Sequence, residues 1–267
     1  TIYHSIPQKS LYDGEEHYIR LESDIMLSGV NIHSILTKLQ RTSVTLGSVC
    51  QVNQGIVSGC DSVSNRNMDA IYDTEVQRGD GVFVFDLNNS RDQTVISSFN
   101  EAENALLKQF FKNSNIGKYV CHDTTPRKIL YLDRNVMSLA DLPNINRHLC
   151  KFEDVLNQRR EVVNGVISYF QLQWPRSIDI FTSPKIVVPQ RSRRNTFAYN
   201  EDEWFSSADC YFITKANYNI SLKYVLALLN SKVYYIWLYH KGKRKGELLE
   251  LYAKPLSEIP IKLISPE

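Results

Sequence analysis

Residues 221–240 read SLKYVLALLNSKVYYIWLYH, and this stretch decides the class of the fold. Its apolar residues recur at the 3.6-residue spacing of an α-helix, at Leu222, Val225, Leu226, Leu229, Val233, Ile236 and Trp237. Ser221 precedes them in the position of an N-cap residue. The spacing predicts one amphipathic helix from Ser221 to His240, and such a helix must cover the apolar face of a sheet.

Short apolar runs on the N-terminal side of this helix supply the sheet. Ile186-Val187-Val188 and Tyr211-Phe212-Ile213 have the composition of buried strands, and we expect them to pair. Further strands are predicted at 44–52, 81–85 and 129–132, and helices at 32–39, after Asn100 and at 152–163. This irregular alternation predicts an α+β fold with a twisted, mostly antiparallel sheet from about Val44 to Thr214. The N-terminal helix and the helix from Ser221 are expected to brace it.

The composition excludes several classes of protein. The chain has 267 residues, and its 31 basic and 29 acidic side chains leave a net charge of +2, which argues against a histone-like binder. Its five cysteines contain no C-x-x-C pair and indicate neither a disulfide framework nor a zinc module, so no metal site is predicted. No apolar run is long enough for a membrane span, and we expect a piece of a longer cytoplasmic protein.

Motifs for nucleotide hydrolysis and for metal-dependent DNA cleavage are missing from the sequence. The segment from Gly242 to Gly246 lacks the residues of a phosphate-binding P-loop, and no lysine follows an acidic residue by two positions. Cys121-His122-Asp123 contains the residue types of a nucleophile relay, but adjacent residues of a strand point to opposite faces. No catalytic residue is therefore predicted, and a hydrolase that uses Cys121 or Cys60 is kept as an alternative.

Two basic clusters indicate where function lies. The first contains Lys185, Gln190, Arg191, Arg193, Arg194 and Asn195, and the second contains Lys241, Lys243, Arg244 and Lys245. Lysine mostly neutralises phosphate, whereas Arg, Asn and Gln have the geometry to bind the edges of guanine and adenine. We expect the first cluster to form one wall of a DNA cleft, with Gln190 and Asn195 as base contacts, and the second to hold phosphates.

Each of these features also has an ordinary structural explanation. A basic run after a helix is usually a solvated face that suits the helix dipole, and tyrosines on a helix this apolar are more often core residues. The turn from Gly55 to Gly59 brings backbone amides toward DNA or simply closes a hairpin, and both interpretations stay open. A protein-docking module anchored by tyrosines, Trp204 and Trp237 is a further alternative.

Short segments in a fixed order resemble a known family. They are Leu46-Gly47-Ser48-Val49, Gln54 to Asp61, Phe111 to Tyr119, Trp174-Pro175-Arg176, Pro184 to Arg191, Thr196 to Tyr199, Asp209 to Ile213, Leu228 to Ser231, Lys241 to Gly246 and Pro255 to Ile261. Over roughly residues 41 to 264, this order is similar to that of the TaqI-like C-terminal specificity domain. That domain occurs in adenine-N6 DNA methyltransferases and in fused type II restriction-modification enzymes.

The resemblance implies a target recognition domain that binds a specific sequence of double-stranded DNA opposite a methyltransferase domain. In the family, the methyltransferase domain binds S-adenosylmethionine and turns the target adenine out of the stack. Neither its Asn-Pro-Pro-Tyr motif nor a glycine-rich cofactor loop occurs here, so we expect this chain to bind no cofactor and neither to methylate nor to cut DNA alone. Gln54 and Ser58, in a segment that carries the resemblance, join the predicted DNA contacts.

The resemblance also implies a division of the chain into three parts. Residues 1–40 would link to the catalytic domain, 41–215 would form the DNA target recognition domain, and 216–267 would add a C-terminal helix and an extended tail packed on it. Specificity subunits of type I restriction systems share a related domain and remain an alternative. The segment from Lys241 to Gly246 and the lack of a long heptad repeat after residue 221 favour the methyltransferase-linked version.

Overall fold

A computed structural model describes residues 12–13, 18–19, 26–27, 30–41, 43–215 and 220–263 of the chain. The chain forms two compact units, Thr1–Ser43 and Val44–Glu267. The second unit includes the C-terminal segment that the sequence analysis separates at residue 216. No helix in the described ranges is long and apolar enough to cross a membrane.

The first unit contains two short antiparallel pairs and a helix. β1 (Tyr12–Asp13) pairs with β2 (Tyr18–Ile19), and β3 (Met26–Leu27) pairs with β4 (Val30–Asn31). α1 (Ile32–Arg41) follows, and its buried residues Ile32 and Leu36 confirm the helix predicted from their spacing. That this helix braces the sheet stays a prediction.

The second unit mixes strands and short helices, as an α+β fold requires. Its strands are β5 (Val44–Thr45), β6 (Cys50–Gln54), β7 (Val84–Asp86), β8 (Leu107–Phe111), β9 (Arg127–Leu130), β10 (Lys185–Pro189), β11 (Arg191–Ser192), β12 (Ala198–Asn200), β13 (Phe205–Ser206), β14 (Cys210–Lys215), β15 (Lys243–Lys245), β16 (Leu248–Glu250) and β17 (Pro260–Ile261). Its helices are α2 (Leu46–Val49), α3 (Asn65–Met68), α4 (Ser90–Ser97), α5 (Glu101–Asn104), α6 (Pro143–Cys150), α7 (Glu153–Asn157), α8 (Arg160–Val163), α9 (Asp179–Thr182), α10 (Leu222–Leu229), α11 (Lys232–His240) and α12 (Ala253–Ser257).

A four-stranded antiparallel sheet of order β12-β10-β14-β6 forms the centre of the second unit. Ile186 lies opposite Ile213, so the predicted pairing of these two apolar strands is confirmed. Val187 and Phe212 on one face belong to the main apolar core. Ile186 and Ile213 point to the other face, since side chains alternate along a strand, and are buried where α10 contacts β10.

Three further sheets belong to this unit, one of four strands, one of three and one of two. One has the order β13-β8-β9-β7 and contributes Phe110, Phe111 and Phe205 to the core. Another has the order β11-β16-β15, and in the third β17 pairs with β5. Strands from the C-terminal segment therefore join both of the latter sheets.

The helix predicted from Ser221 to His240 is wrong in one respect, because the structure contains two helices, α10 and α11. Between them, the side chain of Asn230 bonds to the backbone nitrogen and oxygen of Phe197 at 3.2 and 2.8 Å. Asn195 donates to the carbonyls of Leu229 and Ser231 at 2.7 and 2.8 Å. Ser231 then serves as the N-cap of α11. The two amide side chains thus end one helix and fix the start of the next.

Other predicted elements need smaller corrections. The strand predicted at 44–52 is interrupted by α2, because Leu46 donates its backbone N–H to the carbonyl of Ile259 at 2.7 Å. The tail predicted as extended contains α12. The helix predicted at 152–163 forms α7 and α8. The helix cap predicted at Asn100 is present, but the helix predicted to continue to Phe110 is wrong, because α5 ends at Asn104 and Leu107–Phe111 form the strand β8.

Candidate nucleic-acid interface

The two basic clusters meet in the sheet of β11, β15 and β16, which we call the basic sheet. β16 is the middle strand, with Arg191 on one side and Lys243 on the other, both directly opposite Glu250. Arg191, Lys243, Arg244 and Lys245 are exposed there. Arg191 and Lys243, about 50 positions apart in the sequence, therefore lie on the same face of this sheet. Because side chains alternate along a strand, Lys245 shares that face and Arg244 projects from the other.

Glu250 holds the cations of this surface in place. It is only 5% exposed, and its Oε1 accepts from the Nε of Arg191 at 3.2 Å, while its Oε2 lies 3.2 Å from the Nζ of Lys243. Tyr252 donates to the same carboxylate at 3.1 Å. Burial acts to raise the pKa of Glu250, but hydrogen bonds from Lys243, Tyr252 and Arg191 outweigh it and lower that pKa. Glu250 therefore stays ionised and fixes both cations.

Aromatic rings contact two of these cations, Arg244 and Lys243. The guanidinium of Arg244 lies 4.0 Å from the ring centre of Tyr239, and the Nζ of Lys243 lies 5.2 Å from that of Tyr252. Such cation–π contacts limit side-chain motion while leaving the cation in water. Lys241 is the C-cap residue of α11 and is half-buried. The surface is thus pre-ordered for an anionic partner.

A row of polar side chains continues from the basic sheet to one end of the central sheet, and we call it the polar rim. Its members are Gln54, Arg176, Gln190, Tyr211 and Tyr252. Arg176 donates to the Oε1 of Gln54 at 3.2 Å, and Gln54 lies opposite Tyr211 in the central sheet. Gln190 hydrogen-bonds to Tyr211, whose ring centre lies 6.2 Å from that of Tyr252. The rim and the basic sheet therefore meet at Tyr252.

Three residues predicted to contact DNA are buried, so these predictions are wrong. Lys185 is fully buried, and its Nζ donates to the carbonyls of Ser183 and Asp202. Asn195 is 5% exposed and is used between α10 and α11. Ser58 is 4% exposed and donates its hydroxyl to Asp61 at 2.5 Å. None of these side chains is available to DNA, because each is enclosed and engaged with the protein.

The remaining predicted contacts lie at the surface. Arg193 and Arg194 are exposed in the loop after β11, and Gln54 and Gln190 are half-buried in the polar rim. Together with the second cluster, they stay predicted DNA contacts.

The turn from Gly55 to Gly59 approaches the protein itself. The amides of Gly55, Ile56 and Val57 donate to the carbonyls of Cys210, Ser206 and Trp174 at 3.0, 2.8 and 3.1 Å. A Cβ on Gly55 would lie 2.3 Å from the carbonyl oxygen of Ser207, so only glycine fits this contact. The amides of Gly55, Ile56 and Val57 are therefore engaged with the protein, and this part of the turn extends the sheet contacts.

Burial of Lys185 gives a testable dependence of stability on pH. Burial lowers its pKa to about 8, against about 10.4 for an unfolded lysine. Between these values only the unfolded chain holds the proton, so the free energy of unfolding should rise with pH by up to about 3 kcal/mol. Lys185→Met should lack this rise in urea unfolding measured from about pH 7 to about pH 10.5. Parallel pH profiles of the two proteins would show that Lys185 is solvated.

The thiol chemistry kept as an alternative is disfavoured by the structure. Burial raises the pKa of Cys60 to about 11, and burial also raises the pKa of Cys121. A cysteine nucleophile needs the opposite shift, since the thiolate is the reactive form. In the described part of the chain, no group of three His, Cys, Asp or Glu side chains is arranged to hold a metal ion.

The two tryptophans proposed from sequence as docking anchors are wrong, because both are buried. Trp204 and Trp237 are 1% and 6% exposed, so neither ring is available to a partner. Tyr234 is buried as well, which agrees with the core interpretation, whereas Tyr239 is 37% exposed.

Several residues that build this region were not singled out from the sequence, namely the half-buried Arg176 and Tyr252 and the buried Tyr211 and Glu250. One signal pointed to Glu250. It lies between Leu249 and Leu251, which are both 1% exposed, so an acidic side chain interrupts a buried run. A buried carboxylate needs cationic partners, and the nearest basic run in the sequence supplies one.

Comparison with known proteins agrees with the order of segments in the sequence. Residues 144–261 match the family model of the TaqI-like C-terminal specificity domain. The chain is 26% identical over 228 residues to the type II methyltransferase M.HindII of Haemophilus influenzae, covering 82% of this chain and 38% of that relative. It is 26% identical over 234 residues to M.MjaIV of Methanocaldococcus jannaschii, covering 84% of this chain and 68% of the relative.

Two solved structures share the fold. One is the Type IIL restriction-modification enzyme MmeI in complex with DNA, with a TM-score of 0.54, 14% identity and coverage of 80% of this chain and 25% of that chain. The other is the type IIG restriction endonuclease BpuSI, with a TM-score of 0.50, 13% identity and coverage of 87% and 26%. The resemblance inferred from sequence is therefore confirmed: residues 144–261 match the model of the TaqI-like C-terminal specificity domain, and the chain is similar to type II methyltransferases.

Proposed function

We propose that this chain is the target recognition domain of a type II restriction-modification adenine-N6 methyltransferase and binds a specific sequence of duplex DNA. The observation that carries the proposal is the basic sheet, in which two clusters of cations are joined and ordered by Glu250. Phosphate contacts supply most of the affinity of a DNA-binding protein, whereas polar side chains at the base edges supply its specificity. The polar rim adjoins the basic sheet and offers such side chains.

The chemistry would belong to another part of the protein. The chain spans 38% of the length of M.HindII, so that longer relative has room for a further domain. We propose that this domain binds S-adenosylmethionine and methylates an adenine turned out of the stack. The relatives named above are type II methyltransferases, which favours this assignment over a type I specificity subunit.

Selection from a randomised pool of duplex DNA, repeated at several salt concentrations, tests the proposal. We expect one short sequence to be enriched and the binding constant to fall steeply with salt, because cations of the protein displace counterions from phosphates. Salt-sensitive binding without enrichment would place the specificity elsewhere in the protein. Absence of binding at low salt would contradict DNA recognition by this chain.

A further inference from the structure

Arg176 combines a rare backbone conformation with a fixed guanidinium. Its φ is +66°, in the left-handed region that residues other than glycine seldom adopt. The Nε of Arg176 donates to the carbonyl of Gly55 at 3.2 Å, and its Nη2 donates to the Oε1 of Gln54 at 3.2 Å. Strained conformations of this kind are retained where the surrounding contacts impose them, and they cluster at functional sites.

The side-chain amide of Gln54 is also held through its nitrogen. Its Nε2 donates to the carbonyl of Ala208 at 2.9 Å, so both ends of the amide are oriented. One N–H and one lone pair of this amide remain unused by these bonds. Both Gln54 and Arg176 are half-buried at the polar rim. The Nη1 of Arg176 has no hydrogen-bond partner among the described residues and is not among their enclosed unpaired atoms.

Arg159 shows what a purely structural arginine looks like in this fold. It is 9% exposed, and its nitrogens all donate to backbone carbonyls, those of Ser58, Leu156, Tyr169 and Gln171. Arg176 differs in two ways. It pairs with a side-chain amide, and it keeps donors at the surface.

We propose that Gln54 and Arg176 together read one purine of the target through its major-groove edge, an inference that rests on the proposed DNA-binding function. Arginine pairs with the O6 and N7 of guanine, and glutamine pairs with the N6 and N7 of adenine, so a fixed Arg–Gln pair is suited to a purine. The pair lies in the polar rim, beside the phosphate-binding basic sheet. Trp174, which is 42% exposed, lies two residues before Arg176 and is held by two backbone bonds to Val57.

The test compares the full wild-type chain with Arg176→Lys and Gln54→Met in the selection from randomised duplex DNA. We expect both variants to lose the preference for one purine while keeping the rest of the enriched sequence. Arg176→Lys should also keep the salt dependence, because its charge is unchanged. Arg134→Lys is the matched control and should keep the whole sequence, since Arg134 donates to the backbone carbonyls of Leu172 and Gln173.

A second measurement uses DNA in which that purine is replaced by its 7-deaza analogue, which lacks the N7 acceptor. Wild-type affinity should fall, but by less than the roughly 5- to 150-fold expected for loss of a whole bidentate base contact, because only one of its two bonds is removed. Arg176→Lys should bind both duplexes nearly alike. Melting temperatures show whether each variant is folded. If Arg176→Lys is unfolded, Gln54→Met still tests the proposal, because that substitution leaves residue 176 unaltered.

The outcomes separate the two proposals. If the wild-type chain enriches one sequence and the folded variants still prefer the same purine, the reading role of the pair is overturned. DNA recognition by the chain is then left intact. Wild-type binding with no enriched sequence also overturns the reading role. No salt-dependent binding by wild type overturns the proposed function itself, and the reading role with it.

Discussion

Replacement of Lys243, Arg244 and Lys245 together by alanine is expected to weaken binding to every duplex and to flatten its salt dependence. The three side chains are exposed on β15, at one edge of the basic sheet. Each lost phosphate contact lowers the slope of log K against log salt by about 0.9, so the slope should shrink by about 2 to 3. At about 0.15 M salt this corresponds to a roughly hundred-fold loss of affinity.

The measurement is a salt titration of binding to specific and unrelated duplexes. The ratio between the two affinities should change little, because lysine contacts with phosphate carry no sequence information. A variant with alanine at Arg66, Arg78 and Arg147 removes the same charge from exposed positions outside the basic sheet and is the control. An unchanged slope in the β15 variant would remove these residues from the interface.

The class of the fold follows from local patterns that the structure preserves. The pairing of Ile186 with Ile213 could be predicted because both residues lie in short apolar runs with strand composition. Such strands are buried inside a sheet and need neighbouring strands on both sides. The break between α10 and α11 could not be predicted from apolar spacing. It depends on Asn195, which reaches from a distant loop to the carbonyls of Leu229 and Ser231.

The basic surface could also be predicted only in part, because it too depends on contacts between residues that are distant in the sequence. The basic clusters are visible in the sequence, but their meeting depends on the register of β16 between β11 and β15. Lys185 has the composition of a surface residue, yet its strand lies inside the central sheet, so its ammonium group is enclosed. Burial of a charged residue is decided by the position of its strand, which composition alone does not give.

Trp204→Ala is expected to destabilise the second unit strongly. The indole stacks on Phe111, with ring centres 4.6 Å apart and planes 8° apart, and meets Phe212 edge-on at 6.1 Å. Its Nε1 donates to the carbonyl of His122 at 3.0 Å. Truncation removes these contacts, leaves a cavity and strands a carbonyl, which together cost about 3 to 5 kcal/mol.

Thermal unfolding of Trp204→Ala and Trp174→Ala distinguishes a core tryptophan from a surface one. The first should lower the melting temperature by on the order of 10 °C. Trp174 is 42% exposed, so its truncation should change stability by no more than about 0.5 kcal/mol. Equal melting temperatures for Trp204→Ala and wild type would mean that the ring is not packed as described, and would reopen its role as a docking anchor. A large loss confined to Trp204 instead places the indole among the side chains that hold β8, β13 and β14 together.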